Sequence, residues 1–421
     1  MPYTAEAFQN EFLALGATEV NAIVTVTSTG GEGGRRTAGA TEIIIVDCSG
    51  SMQAEGRMVA ARQAAKAAVN CIDDGVHFAI IAGVSTAQQL FPGPGQLAVS
   101  SPQSRAEAIS SIDRLQANGG TAIGAWLRLA GQLLAQRPGD ISHAILLTDG
   151  ENGEYRGHLE SVLDEIGGRF IVDCRGVGTN WTVSELRKIA AAMLGTVDIV
   201  ARPADLTSAF EQMMTAAMGK TSADVQLKVW TPVNSTVRFV KQVEPQVADL
   251  TGKRTEDGPR AGRYPLGSWG NESRDYHVCV DVTAGAAGDE MLAGRISVVE
   301  GDDVLAQCLV RAVWTDDAAL STRINRQVAH YTGQAELADA IQAGIEARKA
   351  GDDRTATIKF GRAAQLAHES GNKATEQLLA TVVDIEDAAT GTVRLRRKVE
   401  AADEMALDTR STKTVRVGRA R

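Results

Sequence analysis

The sequence predicts an α/β protein. A doubly wound, mainly parallel sheet is inserted in or followed by an antiparallel β-sandwich, and a helical region closes the chain. Three observations carry this reading. Short apolar runs (Ile43-Ile44-Ile45-Val46, Phe78-Ala79-Ile80-Ile81, Ala144-Ile145-Leu146-Leu147, Phe170-Ile171-Val172) alternate with helically spaced stretches between 41 and 218. Near 222 the period switches to two, as in Val225-Gln226-Leu227-Lys228-Val229-Trp230. From 320 to 408 the chain is rich in Ala, Glu, Gln and Arg and contains no proline.

The elements follow in order. Residues 18–28 are rich in β-branched side chains and read as a strand, ahead of the glycine-rich break at 30–34. The run at 43–46 is a strand covered on both faces. Met58, Ala61, Ala65, Ala68 and Ile72 then mark a helix over 56–72. After the strand at 78–81, a helix over 104–116 has Ser104 as N-cap and Glu107 as its capping-box partner. Helices at 122–135, 157–167, 182–194 and 204–218 alternate with strands at 144–147, 170–172 and 197–200. Such alternation argues for a parallel sheet with helices on both faces. Alternating segments near 225–230, 235–243, 275–283, 294–299 and 304–314, with Pro245, Pro259 and Pro265 between them, suggest a sandwich. The early strand needs a sheet to join, and the later block supplies one. The expected division is therefore 1–35 as a segment joining the sandwich, 36–219 as the α/β domain, 220–317 as the sandwich, 318–408 as a mostly helical region and 409–421 as a disordered tail.

Composition excludes several functions. The 421 residues carry a net charge of −9, which presents no overall basic field to nucleic acid or anionic lipid. Aromatic residues make up 4%, too few for rows of base-stacking rings. No apolar run approaches a membrane span. The start of the chain shows no signal-peptide pattern, and the five cysteines lack C-x-x-C spacing, so a cytoplasmic protein with free thiols is expected. Gly219-Lys220-Thr221 lacks the earlier glycine of a phosphate-binding loop. The six histidines show no ligand spacing, and there is no nucleophile elbow, so no enzyme is expected. Arg394, Arg396, Arg397 and Lys398 read as a solvated helix face.

The chemistry concentrates at strand ends. Asp47-Cys48-Ser49-Gly50-Ser51 follows the first buried strand, Thr121 follows Asn118-Gly119-Gly120 and opens a helix, and Asp149 follows the strand at 144–147. Ligands of open α/β sheets bind at this edge. Asp47, Ser49, Ser51, Thr121 and Asp149 are all oxygen donors, the type of ligand that Mg2+ prefers. Neutral hydroxyls touching the metal leave it much of its charge, and so leave it attractive to an outside carboxylate. Glu151 and Asn152 lie beside Asp149 and are candidates for the rim.

Asp-x-Ser-x-Ser, Gly-Gly-Thr and Thr-Asp-Gly, each after the appropriate element, resemble the metal-ion-dependent adhesion site of the von Willebrand factor A family, over roughly residues 36–219. The resemblance implies that Ser49, Ser51 and Thr121 bind the metal through hydroxyls, and that Asp47 and Asp149 act through water. A partner's Asp or Glu would complete the shell. It also implies one short antiparallel edge strand near 84–100. The expected cofactor is Mg2+, with Mn2+ or Ca2+ as alternatives. The layout resembles bacterial cytosolic members of the family. That likeness implies a scaffold in an intracellular signalling or stress system, near Ser/Thr kinases and forkhead-associated (FHA) proteins. The alternative is an adaptor that delivers substrate to an AAA+ ATPase of the MoxR or chelatase type, and a metal-dependent hydrolase is the least favoured. In the basic tail, Thr409, Thr412 and Thr414 are candidate phosphorylation sites, with Val417 three residues after Thr414 in a pattern that FHA modules accept.

Overall fold

The computed structural model describes residues 3–29 and 38–417. They divide into two units, one within Gly33–Ala223 plus Gly267–Gly270, the other within Met1–Glu32, Asp224–Leu266 and Asn271–Arg421.

The first unit is built on a seven-stranded sheet. Its spatial order is Val197–Val200, Ile171–Val177, Ile141–Thr148, Ala40–Asp47, His77–Gly83 and Ala87–Phe91, with Ala98–Val99 also pairing to His77–Gly83. The first five strands run parallel, and the last two are antiparallel to His77–Gly83. Every residue of Ala40–Asp47 is buried, which is why its Ile43–Val46 run is apolar without alternation. From this central strand the chain passes first to one neighbour and later to the other. The strand order therefore reverses here, and such a reversal opens a crevice at the carboxyl ends.

Helices Arg57–Asn70, Pro102–Ile112 and Leu206–Met218 pack together, as do Ile123–Leu134, His158–Ile166 and Val183–Ala192. Ala61, Ala64, Ala65 and Ala68 let the first of these lie close on Ile44, Val46, Ile80 and Ile145. The helix expected from 104 begins two residues earlier. Ser101 is its N-cap, and Ser104 closes the capping box in place of Glu107, because Pro102 suits the first turn.

At the opposite end of the sheet from the carboxyl ends lies a buried charged cluster. His143 Nδ1 is 2.9 and 2.8 Å from the Glu42 carboxylate oxygens, and Nε2 is 3.1 Å from Asp173 Oδ2. Asp173 Oδ1 accepts from Thr196 N–H and Oγ1 at 2.7 and 2.6 Å. Burial disfavours the imidazolium, but attraction from Glu42 and hydrogen bonding to both carboxylates outweigh it and push His143 up to about 10. A raised folded-state value makes this stabilisation fully present below pH 6.5 and lost as pH climbs from there through about 10. Denaturant midpoints should therefore fall between pH 7 and 10, and His143→Gln should flatten that decline. An equal decline in the variant would contradict the assignment.

The second unit contains two larger sheets. One orders Tyr3–Gln9, Glu19–Ser28, Glu272–Asp281, Thr236–Glu244 and Ala248–Asp249, all antiparallel. The strand near 18–28 thus pairs with Glu272–Asp281 from the later block. The other sheet orders Thr255–Glu256, Ala261–Gly270, Lys220–Trp230, Glu290–Glu300, Asp303–Thr315 and Phe12–Ala14, the last pairing parallel.

Helices Arg326–Lys349, Asp353–Ser370, Lys373–Val382 and Ala401–Arg410 share one core with Phe360, Leu366, Leu379 and Leu407 at its centre. Asn325, Asp352 and Asn372 cap the first three of them through side-chain oxygens.

Two expectations are corrected here. The region to 408 is not wholly helical, because Val383–Asp387 and Thr392–Leu395 form an antiparallel hairpin. Val383 and Val393 are buried while Arg394 is exposed, so the local period is two. Arg394 and Arg396 consequently pair with Asp384 across this hairpin, not along a helix face. The tail expected to be disordered over 409–421 is placed as far as 417. Thr409 lies in the last turn of the helix Ala401–Arg410 and is 2% exposed. Beyond it, Val247 N–H donates to Thr412 O, Thr414 Oγ1 donates to Val243 O at 2.7 Å, and Arg416 pairs with Glu244 at 3.0 Å. The backbone groups of 412–414 thus find partners on a neighbouring segment, which composition alone does not reveal. Residues 418–421 lie outside the described residues.

Candidate metal centre

Asp47 is the last residue of the central strand and is fully buried. Its Oδ1 accepts Ser49 N–H at 2.7 Å and its Oδ2 accepts Thr148 Oγ1 at 2.6 Å. Burial raises its pKa, opposed by these hydrogen bonds. The loop then turns into a short 3-10 segment, Gly50–Gly56, ahead of the helix. The turn brings Ser49 Oγ to 2.9 Å from Ser51 Oγ, and Ser51 Oγ donates to Asp149 Oδ1 at 2.6 Å. Asp149 follows the neighbouring strand and is fully buried.

The 118–121 loop is tied to the same place. Asn118 N–H donates to Cys48 O at 2.6 Å and Gly50 N–H to Gly119 O at 2.9 Å. A Cβ built on Gly150 would sit 3.3 Å from Thr121 Oγ1 and 3.4 Å from Ser51 Oγ, so two hydroxyls from different loops flank one point above the strand ends. All five expected residues are therefore assembled at this edge, four of them in a continuous hydrogen-bonded chain.

Two participants were not anticipated from the sequence. Arg57, in the first turn of its helix, is 4% exposed and donates from a guanidinium nitrogen to Asp149 Oδ2 at 2.9 Å. Glu154 accepts Gly124 and Ala125 N–H at 2.8 and 3.0 Å, and Asn152 Oδ1 accepts Ile123 N–H at 3.1 Å. The rim loop thus caps the helix that Thr121 precedes, whose own N-cap, Ala122, offers no side chain for the purpose. Glu at 154 in a loop after Thr-Asp-Gly carried no periodic signal, and Arg57 resembled any helix-start cation. Glu151, the other rim candidate, is exposed.

The donor set fits a hard divalent cation. Three hydroxyls and two carboxylates supply only oxygen. Asp47 and Asp149 are both fully buried and Arg57 pairs with Asp149, so a cation at this edge would offset negative charge that burial makes costly. No group of three or more His, Cys, Asp or Glu side chains gathers into a metal site among the described residues. The five cysteines are free thiols, and burial pushes Cys48, beside the site, up to about 12. No helix among the described residues is long and apolar enough to cross a membrane.

A sheet of this order with oxygen-bearing side chains at its switch point defines a von Willebrand A type domain. Residues 42–199 match the model of the von Willebrand factor type A domain and 365–411 that of the von Willebrand factor type A C-terminal domain. The chain is 48% identical to a von Willebrand factor type A protein from Catenulispora acidiphila, whose solved structure matches 99% of this chain and 97% of its own with a TM-score of 0.94. The protein therefore belongs to the von Willebrand factor type A family.

The ArnB paralog VWA2 from Sulfolobus acidocaldarius shares the fold at 12% identity, with a TM-score of 0.63 and 98% of each chain covered. An uncharacterized protein of Synechocystis sp. is 29% identical over 216 residues, and the match spans 49% of this chain and 49% of that relative.

Proposed function

We propose that this protein captures a partner through a divalent cation, Mg2+ in the first instance, held by the Ser49, Ser51 and Thr121 hydroxyls with Asp47 and Asp149 behind them. The hydrogen-bonded chain from Asp47 through Ser49 and Ser51 to Asp149 carries this reading. A bound ion would supply an electrophilic centre for a carboxylate. The protein's own residues do the rest. Asp47 fixes the Ser49 backbone, Asp149 orients the Ser51 hydroxyl, and Arg57 holds the far oxygen of Asp149. The partner's Asp or Glu completes the arrangement.

The role that suits this chemistry is a non-enzymatic scaffold within a bacterial cell. Phosphate transfer to Thr414 requires its hydroxyl to leave Val243 O, so kinase access is confined to a detached 411–417 segment.

Capture experiments test the proposal. Intact protein should retain a partner that both EDTA and Ser49→Ala/Ser51→Ala release. A partner held equally by the variant, or in EDTA, would assign binding to another surface.

A further inference from the structure

In the five-stranded sheet, Ala248–Asp249 covers the outer side of Thr236–Glu244 only at Lys241 and Gln242. The next polar groups of that stretch are met by the C-terminal segment. Thr414 Oγ1 donates to Val243 O, Thr414 N–H donates to Pro245 O at 3.1 Å, and Val247 N–H donates to Thr412 O at 2.8 Å. Gln246 and Lys413 form an antiparallel bridge between the two stretches. From helix Arg326–Lys349, His330 Nε2 donates to Val415 O at 2.7 Å. Residues 412–417 thus lie on this edge as a strap.

The side chains of the strap match what it covers. Arg416 pairs with Glu244 and donates to Ser273 O. Asp275 stands directly across the strand pair from Glu244, accepts the Tyr331 hydroxyl on one oxygen, and has its other oxygen buried without a hydrogen-bond partner. Val417 packs on a cluster of Ile23, Val243, Val328 and Tyr331. The covered surface is therefore apolar and acidic, and the segment on it is apolar and basic. The strap itself is shallowly held. After Ser411, Lys413 and Arg416 are exposed, and Thr412, Thr414, Val415 and Val417 are only half-buried. A chain end that buries so little opens locally at small cost. Opening uncovers a sheet edge, and an uncovered edge is a template for pairing with another chain.

We propose that the 243–247 edge, with Glu244, Asp275 and the Val243-Val328-Tyr331 patch, is a docking site for the 412–417 strap of a second copy of this chain. The occupant follows from the fit: the segment that satisfies these backbone groups, this charge and this patch is the chain's own. Exchange between identical copies replaces every contact with the same contact, so it costs little beyond association itself. Within one chain the strap competes at an effective concentration of about millimolar, which keeps the edge covered until the strap is released. The inference is independent of the metal centre.

Two complementary full-length variants test it. Thr414→Glu/Val417→Asp spoils the strap and leaves the edge intact, whereas Glu244→Arg repels Arg416 and leaves the strap intact. Tryptic cleavage after Lys413 should be at least tenfold faster in both than in wild type. In analytical ultracentrifugation each variant alone should sediment as a monomer, and an equimolar mixture should form a one-to-one complex. A fluorescent synthetic peptide of residues 411–417 should bind the strap variant at least tenfold more tightly than wild type or Glu244→Arg, and in excess it should dissolve the mixed complex. Arg416→Glu added to Glu244→Arg should restore the opposite-charge pair and return Lys413 to wild-type protection, which separates strap release from misfolding; circular dichroism checks each variant. Cleavage no faster than in wild type, or no association of the two variants, would overturn the proposal. So would peptide binding without association, which would assign the edge to a segment of a different protein.

Discussion

Arg57→Met should lower the stability of the α/β unit by about 3–5 kcal/mol in the absence of divalent cations. The guanidinium is buried against the fully buried Asp149, so the variant leaves a carboxylate with no opposing charge in a low-dielectric site. Removing one partner of such a pair costs far more than the pair contributes as a whole. Urea denaturation of wild type and variant in EDTA measures the loss. Repeating it in millimolar Mg2+ or Mn2+ should recover much of the deficit, because an ion held at the Ser49-Ser51-Thr121 edge offsets the Asp149 charge in the guanidinium's place. Arg57→Lys, which keeps the charge but not the planar fork, should fall between the two. A variant within about 0.5 kcal/mol of wild type in EDTA would show that Arg57 does not neutralise Asp149.

Trp126→Ala should cost a comparable amount, about 3–5 kcal/mol, through a cavity in the sheet–helix core. Trp126 is fully buried, and its Nε1 donates to Val84 O at 2.8 Å. A Cβ on Gly83 would lie 2.5 Å from its ring carbons, so the indole rests directly on the glycine backbone. Gly83 O in turn accepts Cys48 N–H at 2.7 Å, within the Asp-x-Ser-x-Ser loop. The indole thus supports the metal-site loop from beneath, and thermal denaturation of the variant should show a lower midpoint together with weaker metal-dependent stabilisation. Retention of full stability would mean that neighbouring side chains collapse into the space.

Four of the five ligand candidates were legible because Asp47, Ser49, Ser51 and Asp149 end or follow buried strands, and Thr121 was legible as a hydroxyl after Gly119-Gly120 at the start of a helix. The central parallel sheet was legible for a related reason: strands buried on both faces have few polar interruptions, as in Ile43-Ile44-Ile45-Val46. What remained hidden depends on partners distant in sequence. Arg57 meets Asp149 across 92 residues and Glu154 meets Ala125 across 29, and neither contact leaves a local periodicity. The hairpin at 383–395 was masked by its Ala- and Glu-rich neighbours, although Val383, Ile385 and Val393 alternate with charged residues. Thr409–Val417 was read as disordered because hydroxyl and basic residues bury little on their own, yet its backbone pairs with Gln246–Val247.

The central claim is that oxygen side chains from three loops hold one divalent cation that seeks a further anionic donor. Isothermal calorimetry of the full chain, titrated with Mg2+ and then Mn2+ after EDTA treatment and dialysis, tests it most directly. The account predicts uptake of one ion per chain by wild type, weakened about 100-fold or more in Ser49→Ala/Ser51→Ala. Absence of binding heat at millimolar concentrations of both metals, or equal binding by the double variant, would contradict it.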